Sequence, residues 1–260
     1  VIAVKPQDIE EIVSQSVIEG RIVERLLYAD PITGARVRRE ADLPFFAKQD
    51  RVLISQNRWV DPCNLGDYIT AGGYSALATV LSAFTPERVI DEIKTSGLRG
   101  RGGGGYPTGR KWEQCRRAPG DQRYVICNAD EGDPGAYMDR GLLEGNPHLI
   151  LEGMLIGAYA VGSAQGFVYV RNEYPLAVQN VRVAIEQARE MGLLGQNILG
   201  SGFSFDVKVA RGGGAFVCGE STALMASLEG KVGEPRAKDV HTVERGYLDQ
   251  PSLLNNVETW

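Results

Sequence analysis

A parallel α/β sheet flanked by helices is the fold class this sequence predicts, and three observations predict it. Short runs rich in β-branched and aromatic residues, Tyr124–Cys127, Gly166–Val170 and Phe205–Ala210, alternate with longer stretches of helical periodicity, the order that strand–helix–strand crossovers produce. Two of those runs lead directly into segments dense in carboxylates, amides or glycines, Asn128–Gly135 and Gly212–Thr222, and open parallel sheets bind ligands at the carboxyl ends of their strands. Ahead of the first run lies Gly100–Gly105, in which five of six residues are glycine. Such a loop can expose successive backbone N–H groups and let a flat or phosphorylated ligand approach the main chain.

Taken in order, Val1–Val4 reads as a short strand, and Pro6 opens a helix running through Ile18, followed by Ile22, Val23, Leu26 and Leu27. This piece, residues 1–30, is too small to fold alone and reads as the tail of a preceding domain. Residues 31–75 look irregular, with Pro31, Pro44, Pro62 and Gly72-Gly73, and hold one strand candidate, Arg51–Ile54. Thr85 suits an N-cap, Pro86 the first helical position and Gly97 a terminator; a second helix starts near Arg110. After the first strand, a largely buried helix is predicted from His148 to Gly162. Pro175 opens an amphipathic helix with Val178, Val181, Ile185 and Ala188 on one side. The last helix begins after Cys218–Ser221 and ends near Gly230. Residues 31–260 are therefore read as one α/β domain, and both chain ends as cut from something longer.

The glycine loop formally contains Gly100-x-Gly102-x-x-Gly105, but the dinucleotide fingerprint needs a strand before it, and here a helix precedes. Arg99, Arg101, Arg110 and Lys111 supply positive charge for an anionic group, and Tyr106 offers a ring for stacking. A flexible linker would be rich in Gly and Ser and lack those flanking residues. The natural guest is a large cofactor with phosphates and an aromatic ring. In the segment after the first strand, Asp130, Glu131 and Asp133 can accept hydrogen bonds from ribose or ribityl hydroxyls, and Asn128 can serve a flavin ring edge. In the third segment, Ser221-Thr222 open a helix whose first N–H groups would favour phosphate. Asn255 and Asn256 add two adjacent amides.

Composition narrows the classes. Hydrophobic residues make up 43% and charged residues 23% of 260, with a net charge of −5, so nucleic acid is not an expected partner. The four cysteines, Cys63, Cys115, Cys127 and Cys218, form no C-x-x-C pair. They are compatible with two disulfides or with free thiols, the latter the commoner state in intracellular enzymes. With two histidines, His148 and His241, and no ligand spacing, no metal or iron–sulfur site is expected in this chain. The apolar stretch Leu149–Val161 is too short to span a bilayer and contains Glu152. No signal peptide is visible. A cytoplasmic location follows, at most peripheral to a membrane complex.

Four segments in order resemble one family. Gly-Arg-Gly-Gly-x-Gly-aromatic-Pro-x-Gly-x-Lys-Trp at Gly100–Trp112, Asn-Ala-Asp-Glu at Asn128–Glu131, Cys-Gly-Glu at Cys218–Glu220 and Asn-Asn-Val-Glu-Thr at Asn255–Thr259 look like the NADH-binding flavoprotein subunit of respiratory complex I and its relatives in NAD-linked hydrogenases and formate dehydrogenases. The resemblance runs from about Phe45 to Trp260. It implies FMN within the glycine loop and the other three segments, with Gly100, Arg101, Gly102, Gly103, Lys111, Asn128, Asp130, Glu131, Gly219, Glu220, Ser221, Asn255 and Asn256 around it. Tyr106, Asp133 and Lys238 would lie on the NAD(H) side. The implied activity is that of an NADH dehydrogenase (diaphorase) module passing electrons singly to iron–sulfur clusters in neighbouring domains or subunits, with no acid or base catalyst of its own.

Several residues depart from the complex I pattern. Tyr106 stands for the commoner Phe, Asp133 for a Glu, Ser221 for the second Glu of Cys-Gly-Glu-Glu-Thr, and His241 where Phe is usual. Loss of an anion at Ser221 should raise a nearby flavin's potential. These changes resemble hydrogenase-type and electron-bifurcating relatives, in which NAD+ is reduced. Residues 1–30 resemble the last strand and helix of a thioredoxin-like ferredoxin domain, and the family's C-terminal ubiquitin-like and cluster-binding domains are not in this sequence. A structural subunit that binds no flavin is the reading of another class; retention of a glycine run with Lys111, Glu131 and Glu220 argues against it.

Overall fold

The computed structural model describes residues 2–237, 239 and 241–260. Lys238 lies outside the described residues. Two compact units divide between Val52 and Leu53, later in the chain than the boundary at residue 30 that composition suggests.

In the first unit a 3-10 turn (Pro6–Asp8), α1 (Ile9–Glu11) and a π-helical stretch (Ile12–Ile18) follow one another, as Pro6 predicts. A short antiparallel pair, β1 (Tyr28–Ala29) and β2 (Arg36–Val37), comes next. Asp30 shapes the turn between them, its Oδ1 accepting from the N–H groups of Ile32 and Thr33 at 2.9 and 2.8 Å. Ile2–Val4 form no strand; Ala3 at φ 50° breaks the extended run. Arg51–Ile54 is likewise no strand but a series of turns, with the Asn57 N–H bonded locally to the Ile54 carbonyl at 3.2 Å.

The second unit begins with four helices: α2 (Leu65–Thr70), α3 (Ser75–Ala83), α4 (Pro86–Thr95) and α5 (Thr108–Arg117). α2 falls inside the stretch expected to be irregular; Asn64 caps it, Oδ1 accepting from the Gly66 N–H at 2.9 Å. Thr85 caps α4 through the Arg88 N–H at 3.3 Å, and Pro86 occupies its first turn. Then come β3 (Tyr124–Ala129), α6 (Met138–Gly145), α7 (Pro147–Val161), β4 (Gln165–Arg171), α8 (Pro175–Glu190), β5 (Asp206–Gly212), α9 (Ser221–Leu228) and β6 (Ser252–Asn256). α7 stops at Gly162, whose φ of 80° suits a C-cap that only glycine adopts without strain.

The four strands form one parallel sheet in the order β5-β4-β3-β6. The parallel α/β expectation holds, and the reason is visible in the alternation along each strand. Val125, Cys127 and Ala129 of β3 and Val168 and Val170 of β4 face the main core under α2–α5, α7 and α8. Tyr124, Ile126, Phe167 and Tyr169 face a smaller core with Cys218, Leu224 and Met225. A strand buried on both faces reads as an unbroken apolar run, which is why Tyr124–Cys127 was legible. The chain steps from β3 outward to β4 and β5, then returns to place β6 on the other side of β3. The order therefore reverses between β3 and β6, where such sheets open a crevice at their carboxyl ends.

Candidate functional site

The glycine loop hangs over that reversal. Its neck is closed by backbone bonds, Gly100 N–H to Tyr106 O at 2.8 Å and Thr108 N–H to Leu98 O at 2.9 Å. Arg99 seals it from the side, Nε donating to Gly105 O at 2.7 Å. Gly103 and Gly105 take φ values of 98° and 57°, a region other residues enter only with strain. The loop is thus a held ring of main chain and not a linker. Arg101 N–H donates to Thr259 Oγ1 at 3.1 Å, anchoring the ring to the turn that follows β6. A β-carbon on Gly102 would lie 3.8 Å from Asn256 Cβ, so the loop lies against the end of β6.

α5 carries Lys111 from this loop to the sheet. Its Nζ donates to Leu254 O at 3.0 Å and Asn255 Oδ1 at 3.3 Å, and burial pulls the ammonium below its usual range. Asn255 is buried, and its Nδ2 has no partner among the described residues. Asn256 is engaged differently. Its Nδ2 donates to Asp139 Oδ1 and Oδ2 at 3.0 and 2.8 Å, and its Oδ1 accepts from Glu258 N–H at 3.0 Å. The amide of Asn256 is therefore committed within the protein, while that of Asn255 keeps a donor to offer. Burial, with Glu131 and Glu258 nearby, pushes the Asp139 carboxyl up to about 7, the Asn256 hydrogen bonds opposing the rise.

The acidic segment leaves β3 between these groups. Asn128 ends the strand as a latch: Oδ1 accepts from Asp130 N–H at 3.0 Å and Nδ2 donates to Gly219 O at 3.0 Å. Asp130 is buried; its Oδ1 accepts from Arg171 at 3.2 Å and its Oδ2 has no partner among the described residues. Glu131 caps the start of α6, accepting from Met138 N–H at 3.0 Å and Arg140 N–H at 3.4 Å. Asp133 is exposed at the loop tip.

Gly219 passes close beneath this loop, where a β-carbon would lie 3.1 Å from Asp130 O. Glu220 then caps α9. Its Oε2 accepts from the N–H groups of Thr222 and Ala223 at 2.8 and 3.1 Å, and its Oε1 from Ser221 Oγ at 2.9 Å. Although burial pushes this carboxyl up, those hydrogen bonds outweigh it and hold the acid at about 2. The expectation that the first N–H groups of α9 face a phosphate is corrected here, because a carboxylate of the chain itself already takes two of them. Tyr106 is 39% exposed at the outer side of the loop, its hydroxyl donating to Gln114 Oε1 at 3.1 Å.

The structure thus brings Gly100–Gly103, Lys111, Asn128, Asp130, Glu131, Gly219, Glu220, Ser221, Asn255 and Asn256 to one end of one sheet. Tyr106 and Asp133 stand at its outer, exposed margin. All four cysteines are free thiols, and Cys115, Cys127 and Cys218 are buried. Sequence reasoning passed over Asp139 and Arg171, and it met Thr259 only as the end of the Asn255–Thr259 motif, without a role. Arg171 carried a signal, a basic residue ending an apolar strand run. Asp139 carried none, since an acidic residue in a first helical turn is ordinary.

Residues 93–260 match the family described as the Nuo51 FMN-binding domain. The chain is 53% identical over 213 residues to the NADP-reducing hydrogenase subunit HndC of Solidesulfovibrio fructosivorans, covering 82% of this chain and 43% of that protein. It is 50% identical over 196 residues to an NADH-quinone oxidoreductase subunit of Aquifex aeolicus, covering 75% and 46%. To the alpha subunit of the NAD-reducing hydrogenase HoxS of Cupriavidus necator it is 49% identical over 176 residues, covering 67% and 29%. An NAD+-reducing NiFe hydrogenase, solved in its air-oxidized state, superposes with a TM-score of 0.66 at 28% identity, covering 98% of this chain and 39% of that one. The chain therefore spans less than half the length of each of these relatives. By sequence and by fold, it belongs to the Nuo51 FMN-binding domain family.

Proposed function

We propose that this chain is the FMN-holding module of a multisubunit NAD(H) oxidoreductase. The observation that carries the reading is a pair of buried, unpartnered polar atoms, Asp130 Oδ2 and Asn255 Nδ2, at the carboxyl ends of neighbouring strands beneath a glycine ring without side chains. A buried acceptor and a buried donor left open are costly unless a ligand meets them. A polyhydroxylated, amide-bearing cofactor has the matching groups, so the residues present fit FMN. Asp130 accepts from ribityl hydroxyls, Asn255 and Lys111 donate toward the ring edge, and Gly100, Arg101, Gly102 and Gly103 let the main chain approach. Asn128, Glu131, Gly219, Glu220, Ser221 and Asn256 brace those groups from the loops around them. Tyr106 and Asp133 stand at the exposed margin from which a nicotinamide nucleotide would reach the site.

When bound, FMN supplies the conversion between hydride transfer with NAD(H) and single-electron transfer. The chain's part is to orient and to tune. Lys111 places positive charge beside the site, and Glu220 stays ionised across the physiological range. Ser221 adds no charge where a carboxylate would disfavour added electrons, which eases reduction of the flavin by NADH; whether the module runs instead toward NAD+ reduction is set by its partner subunits. The electron partners are iron–sulfur groups of other domains or subunits. Residues 1–30 belong, in this proposal, to a thioredoxin-like domain. Cytoplasmic placement, peripheral to any membrane, follows the same reading; no helix among the described residues is long and apolar enough to cross a membrane.

Titration of the flavin-free chain with FMN, followed by quenching of flavin fluorescence, tests the reading. Saturation at one equivalent is predicted, and no quenching would remove it. In the same titration Lys111→Ala should weaken binding about tenfold, the value of roughly one charge-assisted hydrogen bond. Its unfolding midpoint should not fall, because a half-buried ammonium is removed. Unchanged affinity would take Lys111 out of the site.

A further inference from the structure

Arg171 ends β4 and is outside the set placed around the cofactor above. Its side chain is 12% exposed. Nη1 donates to Asp130 Oδ1 at 3.2 Å, and Nη2 donates to Glu173 Oε1 at 3.1 Å and to Gly214 O at 3.0 Å. Those three partners stand on the loops after β3, β4 and β5. Two glycines record how tightly the loops press on this group. A β-carbon at Gly132 would lie 2.6 Å from Arg171 Nη1, and one at Gly214, where φ is 85°, would lie 2.5 Å from Glu173 Oε1. With Oδ1 of Asp130 pinned by the guanidinium, Oδ2 is the oxygen left to face a ligand.

We infer that Arg171 is the positioning residue of this site: its guanidinium locks the acidic loop, the post-β5 glycine loop and the Asp130 carboxylate into one wall against which the cofactor binds. The assignment rests on the FMN reading for the ligand, and on geometry alone for the wall. Arginine is needed for shape as well as charge, because its planar fork directs donors to several acceptors where an ammonium acts as a point charge. A second consequence follows from charge. Asp130 faces Arg171 and Glu173, with the Tyr169 phenol behind it; burial pushes its carboxyl up, and Arg171 pulls it back. Without Arg171 the acid is raised further, so it takes a proton at a higher pH and loses an acceptor lone pair to a ligand hydroxyl.

The test compares wild type, R171M and R171K in the full chain, by FMN titration across about pH 5 to 8 and by amide hydrogen exchange without flavin. R171M should bind FMN about tenfold more weakly, ~1.4 kcal/mol, with the loss growing as pH falls. R171K should restore the pH profile of wild type but not its affinity. In the flavin-free proteins, R171M should speed exchange in 130–135 and 213–220 together, leaving β3 and β4 protected. Wild-type affinity and exchange in R171M overturn the inference, as does a loss that pH does not change. If R171M does not fold, wild-type affinity in R171K overturns it and weakened, pH-matched binding supports it. Failure of wild type to bind FMN would remove the flavin reading instead, and the exchange data would still decide whether the wall exists.

Discussion

Gly102 and Gly103 are neighbours in the same ring of main chain, yet their substitution should fail in different ways. A β-carbon at Gly102 meets nothing nearer than Asn256 Cβ at 3.8 Å, whereas Gly103 sits at φ 98°. Gly102→Val is therefore predicted to leave the flavin-free fold intact and to exclude FMN by bulk, while Gly103→Val strains the backbone before any ligand arrives. Thermal melts of the flavin-free proteins, set beside flavin content, separate the two; a yellow Gly102→Val protein would show the loop to be elsewhere. Asp139 offers a different test. Its carboxyl is held near 7 by burial, above its unfolded value of about 3.8. Stability from the neutral form is fully present below the unfolded value and is lost as pH rises through 7. Asp139→Asn should thus be more stable than wild type at pH 8, by at most about 4 kcal/mol, read as a higher melting temperature, and converge with wild type near pH 4. A difference independent of pH would show that Asp139 is not protonated in the fold. At this scale the sequence disclosed residues whose type is unusual in context, the glycine run, Lys111 and the paired asparagines. It did not disclose the roles of Asp139 and Arg171, which come from the loops that lie beside them, although Arg171 stood out as a basic residue ending an apolar run. Nor did it show that Asn255 and Asn256 diverge, one open and one committed, because a strand sends adjacent side chains to opposite faces.

Elements with strong local signals were legible, and those held by their surroundings were not. α4 was readable from Thr85, Pro86 and Gly97, and α8 from its apolar side, of which Val178, Val181, Ile185 and Ala188 are all buried. β6, with the sequence Ser-Leu-Leu-Asn-Asn, has weak strand propensity and exists because the edge of β3 pairs with it from Tyr124 to Asn128. Arg51–Ile54 shows the converse: β-branched residues with no strand beside them among the described residues form turns. Packing between α4 and α5 gives the prediction that belongs to this scale. A β-carbon at Gly109 would lie 2.7 Å from the Lys94 backbone nitrogen, a contact no side-chain rotation relieves. Gly109→Ala should push the two helices apart and lower stability by about 1–3 kcal/mol, read as a lower denaturation midpoint in urea. Because α5 delivers Lys111, its FMN affinity should fall as well. A midpoint equal to wild type would mean that the helices are less closely packed than described.

Across the whole second unit, the sheet is arranged so that every loop proposed for the cofactor, the glycine ring excepted, leaves a carboxyl end. The acidic loop follows β3, the Arg171 corner follows β4, the Gly212–Gly214 loop follows β5, and the Asn255-Asn256 pair closes β6. The glycine ring is supplied from outside the sheet, tied to the turn after β6 by Thr259 and lying near Asn256. The sequence carried the fold class at this scale because strand–helix alternation is a property of order alone. It did not carry the position of β6, since adjacency across a returning chain is not written locally. The chain spans less than half of its relatives, so the claim that matters most is that this portion accepts reducing equivalents by itself. The direct measurement is an anaerobic visible spectrum of the FMN-loaded chain before and after one equivalent of NADH. Bleaching of the bound flavin bands is the predicted result, whereas bands that stay oxidised under NADH would contradict the account.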